Sequence, residues 1–286
     1  MNWEKFTWLL LDNADKYFLI AGPAFLIFYV ILRKKISYKK IQAKFPKWRD
    51  YGREIFFSTL SVIIFSFPPL FLLYVDSIRP HTTFYEDISD HGWIYFICAF
   101  PIMVLLHDTY YYWVHRLMHH PKLFKIFHLV HHRSHNPSPW AAYAFHPLEA
   151  FVEAFIFVIF LFTIPVHTFH LMLFFIFSLV YNVYGHLGFE LYPKGFNKHR
   201  FGKWLNTSVA HNMHHKYFKG NYGLYFTIWD RWMGTLNENY DTAFDEATTR
   251  VKNKSCKIKA HECGAGGTLA DNVVEEYNTS VTSNSR

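Results

Sequence analysis

The apolar positions of this chain fall into runs rather than into one-sided stripes. The first, residues 17–32, makes about 24 Å of helix. That is slightly short of the ~20 residues that cross a bilayer, and apolar residues 8–11 extend it at the membrane edge. Basic residues follow it, and no small-residue cleavage site does. It therefore predicts a membrane anchor with its N-terminus outside, not a cleaved signal peptide. A second run, 55–75, is long enough to cross and contains Pro68-Pro69, which predict a kink or a break. The third, 93–106, returns the chain inward. Runs 154–164 and 169–184 meet at Pro165-Val166-His167 and predict a hairpin, about 148–184, that dips into or crosses the bilayer and comes back.

The connecting segments orient these runs. Residues 33–53 hold nine of the 29 lysines and arginines. Beside a span, such a cluster reads as a cytoplasmic loop facing anionic lipid. Residues 76–91 are acidic on balance, which suits the outer side. The net charge of +7 is concentrated in the basic loop, an arrangement that argues against nucleic acid. Only 18% of residues are charged, against about 25% in soluble domains. The expected fold is all-α: a multi-pass transmembrane helical bundle with a cytoplasmic, histidine-rich di-metal cap. Residues 1–92 supply N-terminal membrane helices and the basic loop, 93–240 the catalytic region with its hairpin, and 241–286 a polar, disordered tail. Cys98, within an apolar run, reads as a core residue. Cys256 and Cys263 flank His261 at a spacing that matches no standard zinc pattern.

Three histidine clusters carry the chemistry: His115 and His119; His128, His131 and His132; His211, His214 and His215. Positions three and four apart share a helix face, so each cluster can aim two or three nitrogens at one point. Neutral imidazole suits zinc, iron, copper and nickel. A tetrahedral zinc takes four ligands, and this set exceeds that twofold, which favours two metal ions. The predicted topology brings all three clusters to the cytoplasmic side. His167 and His170 fall at the far tip of the hairpin, and His81 and His91 fall outside. His120 points about 100° away from His119 on a helix and is the weaker candidate. Pro121 fits the first turn of a helix that carries His128 to His132. Asp108 could orient a ligand imidazole or cap a helix. Glu149 and Glu153 are partners for a helix N-terminus or, alternatively, a route for protons.

These motifs, with Phe145-His146-Pro147-Leu148-Glu149, Asn221-Tyr222-Gly223 and the stretch from Trp229-Asp230-Arg231 to Gly234-Thr235, resemble the fatty acid hydroxylase superfamily, which includes sterol desaturases. The resemblance covers residues 106–236 in the family's order. It implies a non-haem di-iron centre, two iron ions at the cytoplasmic membrane face, where zinc is an alternative in purified protein. It implies as ligands His115, His119, His128, His131, His132, His211, His214 and His215, with His186 matching a further family histidine. Some relatives repeat a histidine four positions later, where this chain has Glu190. Whether Glu190 binds metal, orients His186 or does neither stays open. His146 is either part of the ligand or substrate channel or simply a helix-start residue.

The expected activity is O2-dependent hydroxylation or desaturation of a lipid, a sterol or a fatty acyl chain. No flavin, nicotinamide or haem-domain motif is present in the sequence, so electrons come from an external donor, a b-type cytochrome or a ferredoxin with its reductase. The basic loop could dock an acidic carrier or bind lipid. The membrane is a bacterial inner membrane or the endoplasmic reticulum. The competing class, a non-catalytic metal-binding or metal-transport membrane protein, should carry ionisable ligands in mid-span. Here the clusters sit at the ends of the apolar runs.

Overall fold

A computed structural model describes residues 3–251, and these form a mostly helical bundle. Helix α1, Trp3–Phe25, continues through a π-turn, Leu26–Ile31. The wider turn follows Pro23, which cannot donate to the backbone ladder. After a short α2, Arg33–Ile36, come α3, Trp48–Phe65, and α4, Phe67–Tyr74. The break falls at Ser66, because Pro68 and Pro69 are tolerated only in the opening turn of a new helix. Helix α5 runs unbroken over Gly92–Met118, twelve residues beyond the apolar run that predicts it, and carries His115 in its last turn.

Next are α6, Pro121–Phe127, and a separate turn α7, Leu129–His132. Pro121 opens α6 as expected, but His128 ends it, so His131 and His132 ride on a different turn. The hairpin is α8, Pro147–Thr163, and α9, Thr168–Gly185. Its tip contains β2, Val166–His167, which pairs in parallel with β1, Phe84–Tyr85, through Phe84↔Val166 and Tyr85↔His167. The segment before α5 and the hairpin tip therefore share one end of the bundle. The chain finishes with α10, Ser208–Tyr217, α11, Ile228–Trp232, and α12, Tyr240–Thr249.

Among the described residues, four helical stretches are long and apolar enough to cross a membrane: Trp3–Ile31, Trp48–Tyr74, Gly92–Met118 and Thr168–Gly185. Their outer faces are greasy, with Leu19, Ile27, Phe56, Ile94, Ile97 and Val180 all exposed. An apolar exterior of this extent suits lipid and not water. Cys98 belongs to that exterior: it is exposed, not a core residue. Inside, Met103, Phe157, Phe160 and Phe174 from α5, α8 and α9 pack with Tyr225 of a later loop.

One expectation needs correcting at the polar ends, and one loop packs more closely than its charge suggests. The packed chain continues past Tyr240, because Tyr240, Phe244 and Ala247 of α12 give it an apolar face that packs on Val209 and Met213 of α10. Cys256, His261 and Cys263 lie outside the described residues. Nor is the basic loop free throughout. Lys40 is fully buried, donating to Asn136 Oδ1 at 2.7 Å and lying 5.5–6.0 Å from the Tyr29, Phe45 and Phe189 rings. The next residues strap the histidine end: Ile41 N donates to Gly188 O, and Gln42 Nε2 donates to His135 O and Asn212 Oδ1.

Candidate metal centre

At the end of the bundle away from β1 and β2, nine imidazoles converge in two groups. His115, His119, His128, His132 and His214 form one; His131, His186, His211 and His215 form the other. Within each group the ligand atoms lie within 4.8 Å of one another. All nine are buried except His119, which is partly exposed. The neighbouring pairs His131–His132 and His214–His215 are each divided between the two groups.

The backbone explains this convergence. His115 and His119 sit one turn apart at the end of α5, His119 as its C-cap. His186 is the C-cap of α9. Helix α10 supplies His211 and His215 to one group and His214 to the other. Its N-cap Thr207 accepts from Ala210 N at 3.1 Å, fixing where the helix begins.

Four of the rings are fixed through their outer nitrogens. Nδ1–H of His115 donates to Tyr222 O (2.8 Å), of His128 to Glu149 (2.6 Å), of His186 to Asn182 O (2.8 Å) and of His214 to Gly220 O (2.7 Å). An imidazole that donates from Nδ1 while neutral keeps a lone pair on Nε2. Burial, reinforced by the surrounding imidazoles, holds His128, His131, His132, His211 and His215 well below the usual histidine range. Burial brings His186 and His214 down to about 4. The rings are therefore neutral at physiological pH.

The inner nitrogens then pose a problem that a cation solves. Nε2 of His115 and Nε2 of His128 stand 3.0 Å apart, and neither carries a hydrogen to share. His132 Nε2 lies 3.0 and 3.1 Å from those of His214 and His119, and His186 Nε2 lies 3.0–3.3 Å from those of His211, His215 and His131. Nitrogens bound to one ion at about 2.1 Å lie roughly 3.0–3.4 Å apart. Lone pairs facing each other at that spacing fit metal ions and little else.

The other residues singled out from sequence fall around the two groups and not within them. Asp108 accepts from the backbone N–H of Tyr225 and Phe226, at 2.8 and 3.1 Å. Asp230 holds the same loop from its other side, accepting from Tyr222 N, Gly223 N and Thr235 Oγ1. Glu190 accepts from Tyr184 Oη at 2.6 Å and from Tyr192 N and Val209 N, tying α9 to the start of α10. His146 is the N-cap of α8 and accepts from Leu148 N. His120 is exposed and caps α6. His167 and His170 bond to Glu86 O and Phe96 O at the opposite end. Sequence reading missed the carbonyls of Tyr222, Gly220 and Asn182, which as backbone groups leave no signature. It also weighed Glu149 only for the helix terminus and for protons, not as the partner of His128.

A cavity lies within the bundle beside this centre. Phe145, Tyr111 and Asn182 line its inner end. The Phe145 ring is 5.1 Å from His131, the Tyr111 ring is 5.0 Å from His115, and Asn182 O is the acceptor for His186. Most of the remaining wall is apolar and comes from α3, α8 and α9.

Apolar helices closed at one end by two imidazole clusters define an integral membrane protein built to hold metal. Residues 100–235 match the family model for fatty acid hydroxylases. The chain is 31% identical over 232 residues to lathosterol oxidase of Rattus norvegicus, covering 80% of this chain and 74% of that protein. It is 28% identical over 230 residues to a Delta(7)-sterol 5(6)-desaturase of Gibberella zeae, covering 79% and 67%. Lathosterol oxidase of Homo sapiens is 28% identical over 234 residues, covering 80% and 74%. No solved structure matches the chain. The chain belongs to the fatty acid hydroxylase family. It is an oxidoreductase of the sterol desaturase type, acting on lipid.

Proposed function

We propose that this protein is an O2-dependent, two-iron sterol desaturase. The observation that carries the reading is the cavity whose inner end is formed by residues touching both imidazole groups. The names of the relatives, lathosterol oxidase and Delta(7)-sterol 5(6)-desaturase, support a sterol substrate and loss of hydrogen across a carbon–carbon bond. Two iron ions would supply the activation of O2 and the oxidising power needed to remove hydrogen from an unactivated C–H bond.

The chain's own part is to bind, to orient and to keep water out. His115, His119, His128, His132 and His214 would hold one ion, and His131, His186, His211 and His215 the other. Glu149 fixes the plane of His128 and raises its donor strength, as a carboxylate behind a ligand imidazole does. Phe145 and Tyr111 line the cavity and lie against His131 and His115, so a substrate carbon would approach the centre past aromatic walls. Asp108 and Asp230 clamp the loop whose Tyr222 carbonyl steadies His115.

The basic residues 33–53 and the histidine end lie together, because the strap of Ile41 and Gln42 joins them. By the positive-inside rule this end faces the cytoplasm, where a b-type cytochrome or a ferredoxin with its reductase would deliver electrons. The test uses iron-loaded protein in lipid nanodiscs with lathosterol, reduced carrier and O2. A product lacking two hydrogens, formed by protein that holds about two irons per chain, is expected. Zinc that iron cannot displace, with no oxygen consumed, would overturn the reading; a product gaining oxygen would make the enzyme a hydroxylase.

A further inference from the structure

The cavity beside the metal centre carries polar groups that no protein atom engages. Glu153 of α8 and Tyr111 of α5 both line it. They keep only 9% and 4% of their surface exposed. Yet neither the carboxyl nor the phenol hydroxyl has a hydrogen-bond partner among the described residues. A buried carboxyl in that state costs free energy until something supplies a donor. The two residues are neighbours. Tyr110, next to Tyr111, donates to Val152 O at 2.6 Å, which pins this stretch of α5 against this stretch of α8. Glu153 acts electrostatically on both tyrosines.

The pair stands at the metal end of the cavity. The Tyr111 ring, one turn before His115 on α5, has its centre 5.0 Å from that of His115. Glu153 is one turn, about 6 Å of rise, beyond Glu149, whose carboxyl bonds His128. His115 and His128 belong to one imidazole group, with their Nε2 atoms 3.0 Å apart. A carboxyl beside a phenol offers both an acceptor and a donor. An alcohol matches the two: its O–H donates to the carboxyl, and its oxygen accepts from the phenol. A carboxylate or phosphate head would meet the Glu153 carboxyl instead. In a sterol attacked across its 5(6) bond, the carbon that bears the ring hydroxyl is two bonds from carbon 5. Hydroxyl and reacting carbon must therefore enter side by side. A polar pair set against the imidazoles, in an otherwise apolar wall, meets that condition.

Resting on the sterol reading above, we propose that Glu153 and Tyr111 bind the ring hydroxyl of the sterol and so set which carbons face the imidazole group of His115 and His128. The two carboxyls of α8 then divide the work: Glu149 holds a ligand ring, and Glu153 holds the substrate.

The test is equilibrium binding of lathosterol and of its 3-deoxy analogue to the iron-loaded, full-length protein in nanodiscs, with turnover of lathosterol followed alongside. The wild type is expected to prefer the hydroxyl compound by roughly tenfold or more. Glu153→Leu and Tyr111→Phe should each reduce the preference while metal content holds, and the double variant should abolish it. Glu153→Gln, which keeps the size and an acceptor, should retain part of it and stands in if the leucine variant fails to fold. A preference unchanged in the Glu153 and Tyr111 variants, or absent from a wild type that turns lathosterol over, overturns this inference alone. Turnover lost with the preference intact also overturns it, and would make Glu153 a route for protons. A wild type that neither binds nor oxidises lathosterol overturns the sterol reading and this inference with it.

Discussion

Glu149 accepts a 2.6 Å hydrogen bond from Nδ1 of His128, with both side chains shut off from solvent. The contact joins the first turn of α8 to the turn that ends α6. Its second carboxyl oxygen has no partner among the described residues, so the carboxyl is committed to the histidine. Glu149→Ala should weaken metal binding by about 10–100-fold, and Glu149→Gln, which keeps an acceptor, by less. Chelator competition on protein of unchanged helix content measures this.

The division of the histidines predicts separable losses. His214→Ala removes a member of one group and His131→Ala a member of the other. Each should lower metal content from about two ions per chain towards one, and abolish turnover. His167→Ala, at the opposite end of the bundle, should leave both intact. Elemental analysis of the three variants decides it; metal lost from the His167 variant would contradict the described topology.

The neutral imidazoles predict the direction of acid sensitivity. An unfolded histidine titrates near 6.5, whereas burial holds His186 and His214 at about 4 and their neighbours well below the usual histidine range. Between those values the unfolded chain binds more protons than the folded one, so stability falls as pH falls. The thermal midpoint of metal-free protein should drop steadily from pH 6.5 to 4 and be flat above about 7.5. A midpoint independent of pH would mean that the rings are solvated.

The loop that buttresses His115 should be intolerant of change. A Cβ added at Gly223 would lie 2.2 Å from Phe226 O and 3.0 Å from Asp230 Oδ2, so the backbone itself would have to move. Gly223→Ala is expected to destabilise the protein and to lower metal content. Asp108→Ala would leave the N–H groups of Tyr225 and Phe226 without their acceptor and cost about 2–4 kcal/mol. Thermal unfolding of each variant, with and without metal, tests both.

Much of this architecture is legible in the sequence, because its two strongest signals are local. Runs of apolar residues mark α1, α3, α5 and α9, and the spacing of His211, His214 and His215 marks one face of α10. What is not legible depends on the chain meeting itself far along its length. Lys40 reads as one more basic loop residue, yet it is drawn into an aromatic box by Tyr29 and Phe189. Glu149 reads as a helix-terminus acid until the fold brings His128 to it. Cys98 reads as core because composition cannot tell a lipid-facing residue from a buried one when both surroundings are apolar.

His131 and His132 are consecutive, as are His214 and His215, and each pair serves both groups. Consecutive Cα atoms are fixed at 3.80 Å by covalent geometry. The two imidazole groups are therefore tied to each other by two peptide links, one on α7 and one on α10. Neither group can be displaced as a unit without carrying the backbone of the other with it, at α7 and at α10 alike.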